Sequence, residues 1–232
     1  MRSWVPVLAP AVALAVLLAG CSEKVGGNSQ PPKLTPLPSA PHSSTTSTTT
    51  TTTTTPTAAP APGAPIGAAI AWIAAGKPVS AEGYHTATRE GTTTQLGDDI
   101  AFVTPSGKTQ CTTFSQLTDA LLCLVQFKNP PPPPADIEGH WTPGWVQYDG
   151  KSVSVGGIHG DPGPFGKGNG PQLAYGNTLK FGNFQCRVDE VGLYCANLAN
   201  QTAARFSDAG VEPFGCLKPA TPPRDIGLLF SC

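Results

Sequence analysis

Apolar and polar positions change their arrangement three times along this 232-residue chain. Val5 to Leu18 is an unbroken run of Val, Leu, Ala and Pro. From Ser22 to about Pro65 no apolar face can be drawn, and the centre of that segment is a pure threonine run from Thr48 to Thr55. Pro65 to Ala75 then reads as one short helix. Pro is tolerated in its first turn, Ile66, Ile70, Trp72 and Ile73 fall on one side at helical spacing, and Gly76 stops it. Trp72 is expected to pack this helix onto a sheet. From Tyr84 the period shortens to that of strands. Candidates are Tyr84–Thr88, Thr92–Leu96, Ile100–Thr104, Ala120–Gln126, Trp145–Tyr148 and Ser152–Gly156, then Leu173–Tyr175, Thr178–Phe181, Asn183–Arg187, Gly192–Leu198, Ala204–Phe206 and Ile226–Phe230. Turn formers separate them at intervals of about ten residues, the pattern of an all-β sandwich or barrel.

The expected fold is therefore mainly β: an antiparallel sandwich or barrel-like domain with one short N-terminal helix, placed after a disordered Thr/Pro stalk. Ser115 to Ala120 is expected to add a helical turn. Pro130–Pro134 cannot pair within a sheet and is expected as a polyproline II connector on the surface. The domain boundaries follow: 1–20 a leader, 21–64 linker, 65–232 one folded domain. A linker of roughly 44 residues, extended at about 3.1 Å each, reaches on the order of 130 Å.

Composition sharpens this picture in two places. Charged residues make up only 12% of the chain, while Gly and Pro number 26 each, which suits loop-rich β structure. From Lys77 onward there are 11 Lys/Arg and 14 Asp/Glu, a net charge of −3. Without a basic footprint, nucleic-acid binding is disfavoured.

The apolar run is too short for a span of about 20 residues, and it ends in Leu18-Ala19-Gly20-Cys21. Those four residues resemble a bacterial lipobox. The resemblance implies cleavage before Cys21 and a diacylglyceryl group on its thiol, so that Cys21 becomes the mature N-terminus. Two or three acyl chains, at about 0.8 kcal/mol per buried methylene, anchor firmly where one does not. The expected location is the extracytoplasmic side of the cell membrane, with the membrane itself a partner through those acyl chains.

Six further cysteines remain: Cys111, Cys123, Cys186, Cys195, Cys216 and Cys232. An even number in an exported chain argues for three disulfides. Six cysteines allow 15 pairings. Two segments echo each other. Gly107-Lys108-Thr109-Gln110-Cys111 leads to Leu122-Cys123-Leu124, and Gly182-Asn183-Phe184-Gln185-Cys186 leads to Tyr194-Cys195-Ala196. Each reads as a hairpin pinned by one bridge, with Cα atoms about 5.5–6 Å apart. Cys216 and Cys232 are left to hold the terminus. No Cys-x-x-Cys spacing points to zinc.

The same stretches, with Leu173-Ala174-Tyr175-Gly176-Asn177 and Gly192-Leu193-Tyr194-Cys195-Ala196-Asn197, resemble a family of exported actinobacterial cysteine-rich domains. With lipobox, stalk and pentaproline connector, the whole chain is similar to mycobacterial lipoproteins. The resemblance implies export, disulfides and β structure, and it implies no reaction. The chain has Thr104-Pro105-Ser106 where that family usually has Ser-Pro-Ser, and Gln201 to Phe206 replaces its Gly-His-Gly-Phe ending.

Candidate chemistry concentrates in the loop from His159 to Pro171. There His159, Asp161, Lys167 and Asn169 are spaced by glycines that let backbone approach a ligand. His159 would serve as base or ligand and Lys167 as an anion contact. Gly166-Lys167-Gly168-Asn169-Gly170 lacks the spacing of a phosphate loop, and there is no Gly-x-Ser-x-Gly elbow. No metal or cofactor is expected. Asp98-Asp99 and Asp189-Glu190 are expected as solvated turn residues. Trp141 and Trp145 are aromatic candidates for stacking on a sugar face, although Trp145 and Tyr148 would point to opposite faces of a regular strand. Three functions follow as expectations: a non-catalytic envelope module binding a glycan, lipid or protein partner; an envelope hydrolase or transferase acting near His159; or a structural surface antigen.

Overall fold

A computed structural model describes residues 58–232; the leader, Cys21 and the threonine run lie outside the described residues. Among the described residues there is one helix, α1 (Ile66–Ala74), and fifteen strands. In chain order the strands are β1 (Lys77–Val79), β2 (Thr86–Arg89), β3 (Thr92–Gln95), β4 (Ala101–Val103), β5 (Thr109–Phe114), β6 (Thr118–Val125), β7 (Trp141–Tyr148), β8 (Ser152–Ile158), β9 (Asn177–Phe181), β10 (Phe184–Asp189), β11 (Gly192–Asn197), β12 (Thr202–Ser207), β13 (Gly210–Phe214), β14 (Lys218–Ala220) and β15 (Ile226–Ser231). They form a six-stranded sheet in the order β1-β9-β10-β11-β12-β13 and a seven-stranded sheet in the order β14-β15-β8-β7-β6-β5-β4, with β2-β3 as a separate ribbon. All named pairings are antiparallel except β1 with β9.

The two large sheets share one core. Phe102, Leu121, Val146, Tyr148 and Val153 of the seven-stranded sheet cluster with Leu179, Phe184, Val188, Leu193 and Phe206 of the six-stranded sheet. The period-two pattern is plain in β6. Leu121, Cys123 and Val125 enter this core, while Ala120 and Leu122 join a second apolar cluster with Trp145 and Phe165. Fully burying one such side chain contributes about 1.5–3 kcal/mol.

The helix covers the other face of the six-stranded sheet. Ala69, Trp72 and Ile73 pack with Tyr194, Ala196, Ala203 and Phe214. The sheet also ends the helix. Thr178 Oγ1 donates to the Ile73 carbonyl at 2.7 Å, and Arg187 Nη1 donates to the Trp72 carbonyl at 2.6 Å. The Arg187 guanidinium lies 3.8 Å from the Trp72 ring centre. A cation at this end also complements the helix dipole. A side chain at Gly76 would run into Thr178 Oγ1, so the residue that stops the helix is also the one that lets it sit down. Ala59 and Ala64, from the end of the expected linker, already pack beside α1.

Cys111 faces Cys123 across β5 and β6, and Cys186 faces Cys195 across β10 and β11. Both pairs are bridged, as are Cys216 and Cys232. The two hairpin pairs have Cα atoms 4.1 and 4.0 Å apart, nearer the closer spacing of antiparallel neighbours than the expected 5.5–6 Å.

Several details differ from the sequence expectations. Leu173–Tyr175 is not a strand: Leu173 is buried and donates its N–H to the Val103 carbonyl, while Tyr175 is exposed. The helical turn at Ser115–Ala120 is a short turn that gives way to β6 at Thr118. Asp99 is not a solvated turn residue. It is buried and accepts from Thr113 Oγ1 and from the Ser115 N–H. Within the proline connector Pro131 is buried, and its carbonyl accepts the Trp141 indole N–H at 3.3 Å. Strands β1, β13 and β14 went unforeseen. Each contains a proline, and each is the edge of its sheet, where a missing N–H leaves no ladder partner unpaired.

Candidate functional site

The outer face of the seven-stranded sheet is where chemistry-bearing residues meet. Leu124 faces Trp145 and Leu122 faces Gln147 across β6 and β7, so these four side chains project away from the sandwich core. Trp145 is 8% exposed. It is covered by the loop that follows β8. The His159 N–H donates to the His140 carbonyl at 2.9 Å, which prolongs the β7–β8 ladder by one step. The His159 imidazole then lies flat on the indole, with ring centres 3.5 Å apart and planes 20° apart. Phe165, from the 3-10 turn Gly163–Lys167, meets the same indole edge-on at 5.2 Å.

The loop is pinned from several sides. Asp161 Oδ1 accepts the Gly163 N–H at 2.7 Å, and Arg89 Nη1 donates to the Gly166 carbonyl at 3.1 Å. Asn169 exchanges two backbone hydrogen bonds with Thr88. Burial holds the His159 imidazole below its ordinary range, against the opposing pull of the Asp161 carboxylate.

Two cavities open on either side of the Trp145–His159 stack. One is a groove of about 880 Å³ lined by Phe114, Leu117, Leu122 and Trp145, with Thr118 and Gln147 among its polar walls. The other, about 360 Å³, is bounded by Leu124, His140 and Thr142. His159, Asp161 and Pro162 belong to both.

Of the residues singled out from sequence, the fold brings His159, Asp161 and Trp145 together. Lys167 ends the 3-10 turn and is exposed. Asn169 lies beside a different cleft, near Lys108 and Gln110. Trp141 is half-buried against Gly156 and Pro131. Its separation from Trp145 comes from a register shift between Thr142 and Val146, where Pro143 and Gly144 interrupt the ladder. Leu117 was not foreseen. It is 77% exposed at the mouth of the larger groove, and a single leucine in a polar turn carries no signal of that.

No protein-family model, curated protein or solved structure matches this chain. A second cleft, of about 540 Å³, is ringed by Asp98, Asp99, Asp119 and Asp149. Two of these carboxylates are already engaged: Asp99 by Thr113 and Ser115 as above, and Asp149 by the Lys151 and Ser152 N–H groups of its own turn. Among the described residues, no three His, Cys, Asp or Glu side chains are placed to hold a metal ion. The chemistry the outer-face site can offer is contact: an apolar lining, an aromatic stack, and hydroxyl, amide and carboxylate groups on the walls.

Proposed function

We propose that this protein is a lipid-anchored module of the cell envelope, held by Cys21 on the extracytoplasmic side of the membrane. In this reading it is non-catalytic and binds a glycan, lipid or protein partner in the groove on its outer sheet. The observation that carries the reading is the pair of cavities meeting at the Trp145–His159 stack. Concave sites with an apolar lining and a few placed polar groups are the usual form of a binding site. The resemblance of residues 18–21 to a lipobox supports the anchor. Two features favour binding over hydrolysis. The imidazole of His159 hydrogen-bonds to no side chain among the described residues, and the nearest carboxylate, Asp161, is engaged by the Gly163 N–H.

Two measurements test this. Cys21→Ala should move the protein from the membrane fraction to the soluble fraction. A photo-crosslinking residue at Leu117 should capture an envelope component, while the same residue at Leu228, also exposed but away from the groove, should not. Equal capture from both positions, or none from Leu117, would refute the groove as the working surface.

A further inference from the structure

We propose that the ligand of this groove is a saccharide, and that His159 occupies the face of Trp145 on which a pyranose ring stacks. This rests on the groove being the binding site.

The stack has the geometry of a ligand on a platform: two rings nearly parallel, with centres 3.5 Å apart. The His159 imidazole has no hydrogen-bond partner among the described residues; only its backbone N–H is engaged. Stacking on the indole is its main contact, with the Asp161 carboxylate nearby, and another flat, weakly polarised face can take its place.

The surroundings match that exchange. The cavities of about 880 and 360 Å³ share Trp145 and His159 in their linings, so turning the imidazole away would open both onto the indole. Their walls offer the Thr118 and Thr142 hydroxyls, the Gln147 amide and the Asp161 carboxylate. Asp161 spends one oxygen on the Gly163 N–H and keeps the other for a hydroxyl. A sugar presents an apolar face and a rim of hydroxyls, which is the pattern of these cavities. An acyl chain asks for an enclosed apolar cavity, and the sandwich interior is instead filled with side chains.

Displacement needs only the His159 side chain to turn, since the loop backbone is pinned on either side of it. A side chain at Gly160, just after His159, would meet nothing within 4 Å. Gly157, just before it in space, is the converse: a Cβ there would lie 2.8 Å from His159 Nε2 and close to no other group. Alanine at 157 therefore displaces the ring without disturbing the strand.

The test is calorimetric titration of the full chain in detergent micelles with tetrasaccharides of glucose, mannose and N-acetylglucosamine. At least one should bind. His159→Ala and Gly157→Ala, which free the indole face in two different ways, should each tighten it about two- to tenfold, the worth of one aromatic contact. Unchanged or weaker binding in both variants would overturn the displacement. If no tetrasaccharide binds wild type or either variant, the saccharide is refuted. Capture of a protein or lipid at Leu117 in that case leaves the groove reading standing, and absence of capture removes both.

Discussion

Tyr148→Phe removes one oxygen atom from the seam between the two sheets. Tyr148 is fully buried on β7, and its hydroxyl reaches across to the other sheet. Thr202 Oγ1 donates to the Gly150 carbonyl at 2.7 Å, so it must accept from the Tyr148 hydroxyl, also at 2.7 Å. The same hydroxyl accepts the Asn197 N–H at 3.1 Å. Phenylalanine fills nearly the same volume, so no cavity term enters. What is lost is one donor–acceptor pair, and a buried backbone N–H is left without a partner. An unsatisfied buried donor costs about 1–3 kcal/mol and a lost hydrogen bond about 1 kcal/mol, giving an expected loss of about 2–4 kcal/mol. Urea unfolding with disulfides intact should show the midpoint falling at unchanged slope. The pH dependence gives a second readout. Burial pushes the Tyr148 hydroxyl up to about 12, with Asp149 adding to the rise and the Thr202 and Asn197 contacts opposing it. The unfolded tyrosine ionises near 10, so its contribution is complete below that pH and is lost as pH rises toward 12. Tyr148→Phe should therefore flatten part of the alkaline decline, leaving the shares of Tyr84 and Tyr194, which burial also raises. A loss below about 0.5 kcal/mol, or an alkaline limb unchanged by the substitution, would refute the hydrogen-bonded seam.

Replacing Cys186 and Cys195 together by alanine should destabilise the domain by about 2–5 kcal/mol, read by the same unfolding curve under non-reducing conditions; a near-neutral result would mean the β10–β11 hairpin is held by its ladder alone. Gly170→Ala would place a methyl group on the Ala101 and Phe102 backbone and should cost about 2–4 kcal/mol. Gly160→Ala, with open space around it, should stay within about 0.5 kcal/mol; equal melting of the two would contradict the packing of the loop onto β4. Burial lowers the His159 pKa from its ordinary 6.5, so its contribution to stability is complete above that pH and diminishes as pH falls through it. His159→Ala should flatten the slope of stability between pH 7 and 5, and a slope unchanged by the variant would contradict the half-buried imidazole stacked on Trp145.

The disulfide hairpins were legible because two constraints coincided in the sequence: Gly-x-x-Gln-Cys set the first strand, and an apolar-Cys-apolar triplet set the second. Helix α1 was legible because Ile66, Ile70, Trp72 and Ile73 keep one spacing. Strands β1, β13 and β14 were not, because a short edge strand is half-exposed and uses the same Lys, Pro and Gly residues as a turn. Thr109–Phe114 was visible only as the arm of a hairpin, since Thr-Gln-Cys-Thr-Thr alternates too weakly between polar and apolar. The loop at His159 drew notice for its composition. Its contact with Trp145 depends on where the β7 bulge falls, and the two extra residues that separate Trp141 from Trp145 act through register, which no local pattern encodes.

Strand β15 lies inside the seven-stranded sheet, between β8 and β14. Until Ile226–Ser231 has been made, β8 presents an open edge bearing Val153 and Val155, and the ladder that ends at Cys232 donating to the Lys151 carbonyl cannot form. The second sheet therefore closes only once β15 has docked against β8. A chain cut short at residue 225 keeps almost every core residue yet exposes an adhesive strand edge. The docking of β15, rather than the packing of the core, is what covers that edge.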